Sequence, residues 1–515
     1  MQKQYIKNYL KIYFWRFISI LSGFLSLLIV VPHLSNNIEL YGIYSFCISF
    51  TLYLTYADIG FLNAGQKYAA EAYAKNNRKE EVQILGFTAA ILLLMVAPFS
   101  IAMIYFSFNP NIIIKNLSEE GQSIAGSIFL ILGAVLPFQV IIQRLVQSIL
   151  IISVKDYISL RIDVIFNLLK IGSVFIFFSE DSYLVVEYYL FTTLVTILSS
   201  VTILIIIKKT EKYDFILLLK SIRLRKKEYL LTKKLAYSSL FLTLGWLIYY
   251  ELDLIIIGKL YGPEEVAVYA IGFTFLNFLR TLWNTVFSPF AQRFNHFVGL
   301  NSDSDLKKII KTIIDYSMPL SIIVTLVLFL ASEKITYYWV GEYYKESIAI
   351  LQILILGTVF GFVTKPASFY FTAKTQYKFI YLLAIILPIS FFIGLLLLVP
   401  SYGVIGFSIS KSFVMFLGFI ISIIGISKIY NPIINMKKWG ANLLVVCVLI
   451  SFSFPRILDN FFLSQEKNML SLVTLFLVLI AIIIVSYVSV LLTKQQQRKD
   501  LKKIFIRILN IKFIK

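Results

Sequence analysis

Charged side chains set inside apolar runs are where this sequence has chemistry to offer. Basic residues interrupt such runs at Arg144, Lys170, Arg280, Lys365 and Lys411, and acidic ones at Asp58, Asp163, Glu187, Glu251, Asp253 and Asp315. A charge at the centre of a bilayer costs roughly 2.5–3.5 kcal/mol on insertion scales, so each should face protein or water. Helical spacing gives several of them polar company. Asn277, Arg280, Thr281, Asn284 and Ser288 recur at steps of three and four, and Gln139, Gln143 and Gln147 do the same beside Arg144. Shorter stripes join Asp163, Asn167 and Lys170; Gly361, Lys365, Ser368 and Thr372; Ser408, Lys411 and Ser412; and Thr51, Thr55 and Asp58.

These faces imply a hydrated interior. Arg and Lys meet the concentrated charge of a diphosphate by charge-assisted hydrogen bonds, and amides and hydroxyls suit a glycan. Arg280, Lys365, Lys411, Arg144, Lys170, Asn277, Asn284 and Gln143 are therefore the candidate substrate-binding residues. Asp58 and Asp253 are candidate ion-coupling sites. Glu251 and Asp253 sit two residues apart on a helix, so at most one faces a cavity squarely, and Asp253 is the preferred one. The same charges would also serve as packing pairs, Asp163 with Lys170 or Asp253 with Arg280.

No catalytic constellation is present. There is no Walker A sequence, so the chain itself does not use ATP. His33 and His296 fall at the ends of apolar runs, and Cys47 and Cys447 fall inside them, which excludes a disulfide framework and disfavours a metal site. The expectation is a protein that is not an enzyme and takes neither cofactor nor metal.

The elements that must position these residues are membrane helices. The chain has 515 residues, 59% hydrophobic and 15% charged, where soluble domains carry about a quarter charged residues. About fourteen apolar runs approach the ~20 residues that cross a bilayer. They are separated mostly by short intervals, and alternating β-barrel segments are absent. The fold class expected is an all-α membrane protein. The first run ends in Val31-Pro32-His33, without a small-x-small cleavage site, and reads as a retained helix.

The net charge of +20 sorts by side. With the N-terminus cytoplasmic and the loops assigned alternately, 36 of the 48 basic residues fall inside. Outside are Lys115, Lys259, Lys334, Lys345, Arg456 and Lys467. The positive-inside rule accounts for this with both termini cytoplasmic, and membrane lipids, not nucleic acid, are the partner implied. The longest basic connection divides the chain. Residues 1–207 form an N-terminal six-helix bundle, 208–234 a basic linker, and 235–427 a C-terminal six-helix bundle. Two further helices follow in 428–492, then a basic tail, 493–515, with an amphipathic face of Leu501, Ile504, Phe505 and Ile508.

The two bundles share weak internal similarity. Gly42-Ile43-Tyr44 matches Ala267-Val268-Tyr269, and Ala64-Gly65-Gln66-Lys67-Tyr68 matches Phe290-Ala291-Gln292-Arg293-Phe294. Arg144 and Lys365 recur late in the fourth and tenth spans. Six spans per copy make a parallel repeat about an axis along the membrane normal, an architecture in which substrate binds between halves.

Leu40-Tyr-Gly-Ile-Tyr-Ser-Phe, Tyr56-Ala-Asp-Ile-Gly and Gln66-Lys-Tyr-Ala-Ala-Glu, followed by an Asn-Arg-Lys-Glu-Glu turn, resemble the Wzx-type polysaccharide-biosynthesis flippases. These belong to the multidrug/oligosaccharidyl-lipid/polysaccharide (MOP) exporter superfamily. Asp253-Leu-Ile-Ile-Ile-Gly-Lys-Leu-Tyr-Gly, Val266-Ala-Val-Tyr-Ala and Trp339-Val-Gly-Glu-Tyr-Tyr are similar to its later helices. The resemblance spans the whole chain, in organisation more than in strict motif. It implies export of undecaprenyl-diphosphate-type lipid-linked oligosaccharide across a bacterial inner membrane, for O-antigen, capsule or exopolysaccharide. A polysaccharide polymerase and a chain-length regulator are the protein partners it suggests. Two alternatives stand beside it. A drug or cation antiporter of the superfamily usually stops at twelve helices, and a polymerase calls for a large external loop.

Overall fold

Asn77 shows how local chemistry starts a helix in this chain. Its side chain accepts from the Glu80 backbone N–H at 3.2 Å and donates to the Glu80 carboxylate at 2.8 Å. This reciprocal cap launches the helix Arg78–Phe108. Asn76, with φ 57°, supplies the left-handed residue that ends the helix before it.

The computed structural model describes residues 2–55, 60–179, 182–211, 213–299, 302–427, 432–462 and 466–492. Asp58 and the tail 493–515 lie outside them. The helices are α1 (Gln2–Leu34), α2 (Ile38–Thr55), α3 (Phe61–Ala74), α4 (Arg78–Phe108), α5 (Glu119–Ala134), α6 (Leu136–Ile152), α7 (Tyr157–Phe177), α8 (Val185–Glu211), α9 (Phe215–Ser221), α10 (Lys226–Tyr250) and α11 (Asp253–Leu260). They continue with α12 (Pro263–Gly299), α13 (Asp303–Val340), α14 (Ser347–Thr358), α15 (Gly361–Ala373), α16 (Tyr377–Tyr402), α17 (Val404–Ile426), α18 (Pro432–Phe461) and α19 (Met469–Leu492). A two-stranded antiparallel ribbon, Phe178–Ser179 with Ser182–Tyr183, closes the α7–α8 connection.

The protein is an all-α membrane protein. Among the described residues nine helices are long and apolar enough to span, and twelve spans result when each of three bent pairs counts as one. The remaining two of the fourteen expected runs correspond to α2, described only to Thr55, and α7, which carries Arg161, Asp163 and Lys170. Three runs expected as continuous helices are broken. The bends are 40° between α5 and α6, 44° between α10 and α11, and 48° between α14 and α15. Pro137 at the start of α6 and Gly361 at the start of α15 account for two of these.

The chain divides into two compact units, Met1–Ala270 and Ile271–Lys515, within α12. The composition placed the division earlier, in the basic segment 208–234, and the reason for the difference is packing. In the first unit α9 lies on α4, α10 on α3 and α11 on α2. Tyr213 and Leu218 from the basic segment are buried in a core with Val82, Leu85, Leu150 and Ile207. Gly86 permits the α9–α4 contact, since a Cβ there would lie 2.5 Å from the Ser221 carbonyl oxygen. In the second unit α13 is the central helix and packs against α14, α15, α18 and α19, while α16 pairs with α17.

Candidate functional site

The second unit holds the most concentrated set of candidate groups. On α12 the Arg280 guanidinium donates from Nη1 to Asn277 Oδ1 at 2.8 Å, both residues half-buried. One turn on, Thr281 and Asn284 are exposed, so this face of α12 is not sealed by its own unit. Lys365, half-buried on α15, stands within electrostatic reach of Arg280. Gly361 at the head of α15 brings the two helices close, with its Cβ direction 3.4 Å from the Trp283 ring. Among the described residues Lys365 makes no hydrogen bond or ion pair. Like charges held together in a low-dielectric setting repel, and an anion between them removes that cost.

Lys411 is placed differently from the other cations. It is fully buried on α17, its ammonium 4.5 Å from the Phe273 ring centroid and 5.8 Å from that of Phe391. Its neighbour Ser412 donates to the Ile353 carbonyl at 2.6 Å. The cation–π contacts hold Lys411 in a packed seam, not on an open face.

In the first unit Gln139, Gln143, Arg144 and Gln147 are half-buried on α6. Ser148 donates to the Arg144 carbonyl at 2.7 Å and accepts from Gln66 Nε2 at 2.9 Å, joining α6 to the Gln66 motif of α3. The stripe expected on α7 is shared between two neighbours. Lys170 Nζ donates to Thr196 at 2.6 Å and Asp163 accepts from Ser199 at 2.8 Å, both on α8, while Asn167 donates to Ser22 on α1 at 2.8 Å. Among the described residues Asp163 and Lys170 are too far apart for an ion pair, but each feels the other's charge while hydroxyls of α8 supply their hydrogen bonds. This is interhelical bonding of the kind that joins membrane helices.

Asp253 is fully buried at the first position of α11, and Glu251 is 3% exposed. The Tyr269 hydroxyl donates to Asp253 Oδ2. Tyr53 of α2 and Tyr269 both feel the charges of Glu251 and Asp253. The break between α10 and α11 falls between the two acids, and both are buried within electrostatic reach of the same two tyrosines. Neither Tyr53 nor Tyr269 was a candidate from the sequence. Tyr269 had a signal, because Gly262, at positive φ, turns the chain between the short α11 and the first turns of α12.

Arg144 and Lys365 share one further property. Each stands on the second half of a bent helix pair, Arg144 on α6 after α5 and Lys365 on α15 after α14. Interrupted helices at matching positions of two halves mark binding sites in transporters.

A family model, MatE, matches residues 239–397. No curated protein sequence matches the chain. Among solved structures, one of the lipid II flippase MurJ in an inward closed conformation superposes with a TM-score of 0.70 at 17% identity, covering 98% of this chain and 99% of that one. This chain has the MOP-superfamily fold. An inward-facing multidrug-resistance MATE transporter of that superfamily gives a TM-score of 0.60 at 14% identity, covering 79% of this chain and 95% of its own. A MOP-superfamily transporter from Pyrococcus furiosus gives 0.53 at 15% identity, covering 82% and 96%.

Proposed function

We propose that this protein is a Wzx-type flippase, moving a polyprenyl-diphosphate-linked oligosaccharide across a bacterial inner membrane for surface-polysaccharide assembly. The observation that carries the reading is the Arg280–Lys365 pair, two neighbouring cations with Lys365 lacking an ion-pair partner among the described residues. A diphosphate offers each cation a charged acceptor at once. Asn277 orients Arg280, and the exposed Thr281 and Asn284 are suited to sugar hydroxyls. Alternating exposure of the pair to the two sides of the membrane moves the headgroup. The match over 98% of this chain to a flippase whose substrate is itself lipid-linked supports a lipid-linked cargo.

The multidrug or cation antiporter is the second reading, favoured by the MatE match and by the buried Glu251 and Asp253. Asp253, with Tyr269, is the proposed coupling residue in either case. Deleting the gene separates the two. The flippase predicts loss of a surface glycan, with lipid-linked repeat units accumulating on the cytoplasmic leaflet. Normal glycan in a strain without a redundant flippase, together with heightened sensitivity to cationic drugs, would give the protein to the antiporters.

A further inference from the structure

The second unit contains a cavity of about 520 Å³ between α12, α13 and α19. Its wall includes Trp283, Phe287, Phe290, Phe297, Tyr316 and Leu320. The Tyr487 hydroxyl of α19 donates to the Tyr316 carbonyl at 3.0 Å and fixes the back of the cavity. At the mouth stand Arg293 and Lys308, both exposed, with Asp305 beside them. The Asp305 carboxylate accepts from Ser302 at 2.7 Å. Among the described residues neither the Arg293 guanidinium nor the Lys308 ammonium has a hydrogen bond or ion pair. Inside, Ser317 is 7% exposed and its hydroxyl has no hydrogen-bond partner among the described residues. A buried hydroxyl without a partner is costly, and here it lines a space large enough for a ligand.

We propose that this cavity binds one anionic glycerophospholipid, its phosphate between Arg293 and Lys308 and a fatty chain against the aromatic wall. The ester oxygens below the headgroup are the acceptors available to Ser317. The charge complementarity selects a lipid of net negative charge over a zwitterionic one, and basic pockets between membrane helices bind such headgroups. The volume suits a fatty chain better than a long polyprenyl chain carrying a glycan, so the occupant is a membrane lipid and not the transported molecule. The inference stands apart from the identity of the cargo.

Native mass spectrometry of the purified full-length chain, titrated with phosphatidylglycerol, phosphatidylcholine or a polyprenyl phosphate, tests it. The wild type should retain phosphatidylglycerol in preference to both others. Arg293→Gln with Lys308→Gln should weaken phosphatidylglycerol binding by about 30-fold, the loss expected for two basic residues acting on an anionic headgroup, and leave phosphatidylcholine unaffected. Lys308→Gln alone, an exposed change with little folding risk, should give about 5-fold. Equal retention of the two glycerophospholipids, binding unchanged in Lys308→Gln, or stronger retention of the polyprenyl phosphate would each overturn the proposal.

Discussion

Arg280 combines charge, a fixed orientation and an open flank, and this sets it apart from the other intramembrane cations. Its Nη1 donates to Asn277 Oδ1, which fixes the orientation of a group with five N–H donors. If it receives a diphosphate, charge should matter more than shape. Arg280→Lys should keep part of the export activity. Arg280→Gln should lose about 10- to 100-fold, the equivalent of a hydrogen bond to a charged group at about 1.5–3 kcal/mol. Surface glycan in complemented cells, with protein abundance checked by immunoblot, measures this. Full activity of Arg280→Gln would remove Arg280 from the phosphate role. The sequence made the α12 stripe legible because one helix carries all its members. It could not separate Lys365 from Lys411, since both are lone lysines on polar stripes. What distinguishes them is the Phe273 and Phe391 rings, which come from other helices.

At the scale of the element, the positions of the helices follow from apolar run length, but their breaks do not. Pro137 and Gly361 hint at two bends, while the α10–α11 break contains neither proline nor glycine and becomes visible only once α11 packs on α2. That packing draws the first unit forward to Ala270. Gly42 is a tight point in it. A Cβ at Gly42 would lie 1.8 Å from the Pro263 carbonyl oxygen, a backbone atom that cannot swing aside as a side chain does. Gly42→Ala should therefore force α2 away from the start of α12 at a cost of about 1–3 kcal/mol. Gly172, inside α7, has nothing within 4 Å of its Cβ direction. Gly172→Ala should leave stability unchanged or raise it by up to about 1 kcal/mol through helix propensity. Thermal unfolding in detergent, followed by size-exclusion fluorescence, compares the two. Equal melting temperatures for both variants would mean that the α2–α12 contact is not close in the folded protein.

At the scale of the whole chain, the sorting of charge by side predicts which loops share a face of the membrane, and the contacts within each unit obey it. In the first unit the segments expected inside meet one another. Arg16 lies 3.8 Å from Asp156, Lys11 covers the Tyr157 ring, Lys227 lies 3.9 Å from Glu80, and Arg78 stands over Tyr213. The segments expected outside also meet: Lys115 donates its backbone N–H to Gly258 at 3.0 Å and its ammonium to Leu260 at 3.3 Å. The second unit repeats the pattern. Lys374 pairs with Asp303 among the inside segments, and Lys334 lies 3.8 Å from Asp459 among the outside ones. None of these ion pairs joins an inside segment to an outside one. The charge rule and the packing pattern agree, and sidedness is the prediction that follows from both. Reporter fusions after Lys227 and after Lys503 should both report the cytoplasm, and a fusion after Lys115 should report the opposite side. The Lys115 fusion tests the loop that clasps the α11–α12 turn, so a cytoplasmic signal there would invert the first unit. An external signal at Lys503 with a cytoplasmic one at Lys227 would mean an odd number of crossings between them, which removes one of the spans from α10 to α19 and with it the fourteen-span arrangement.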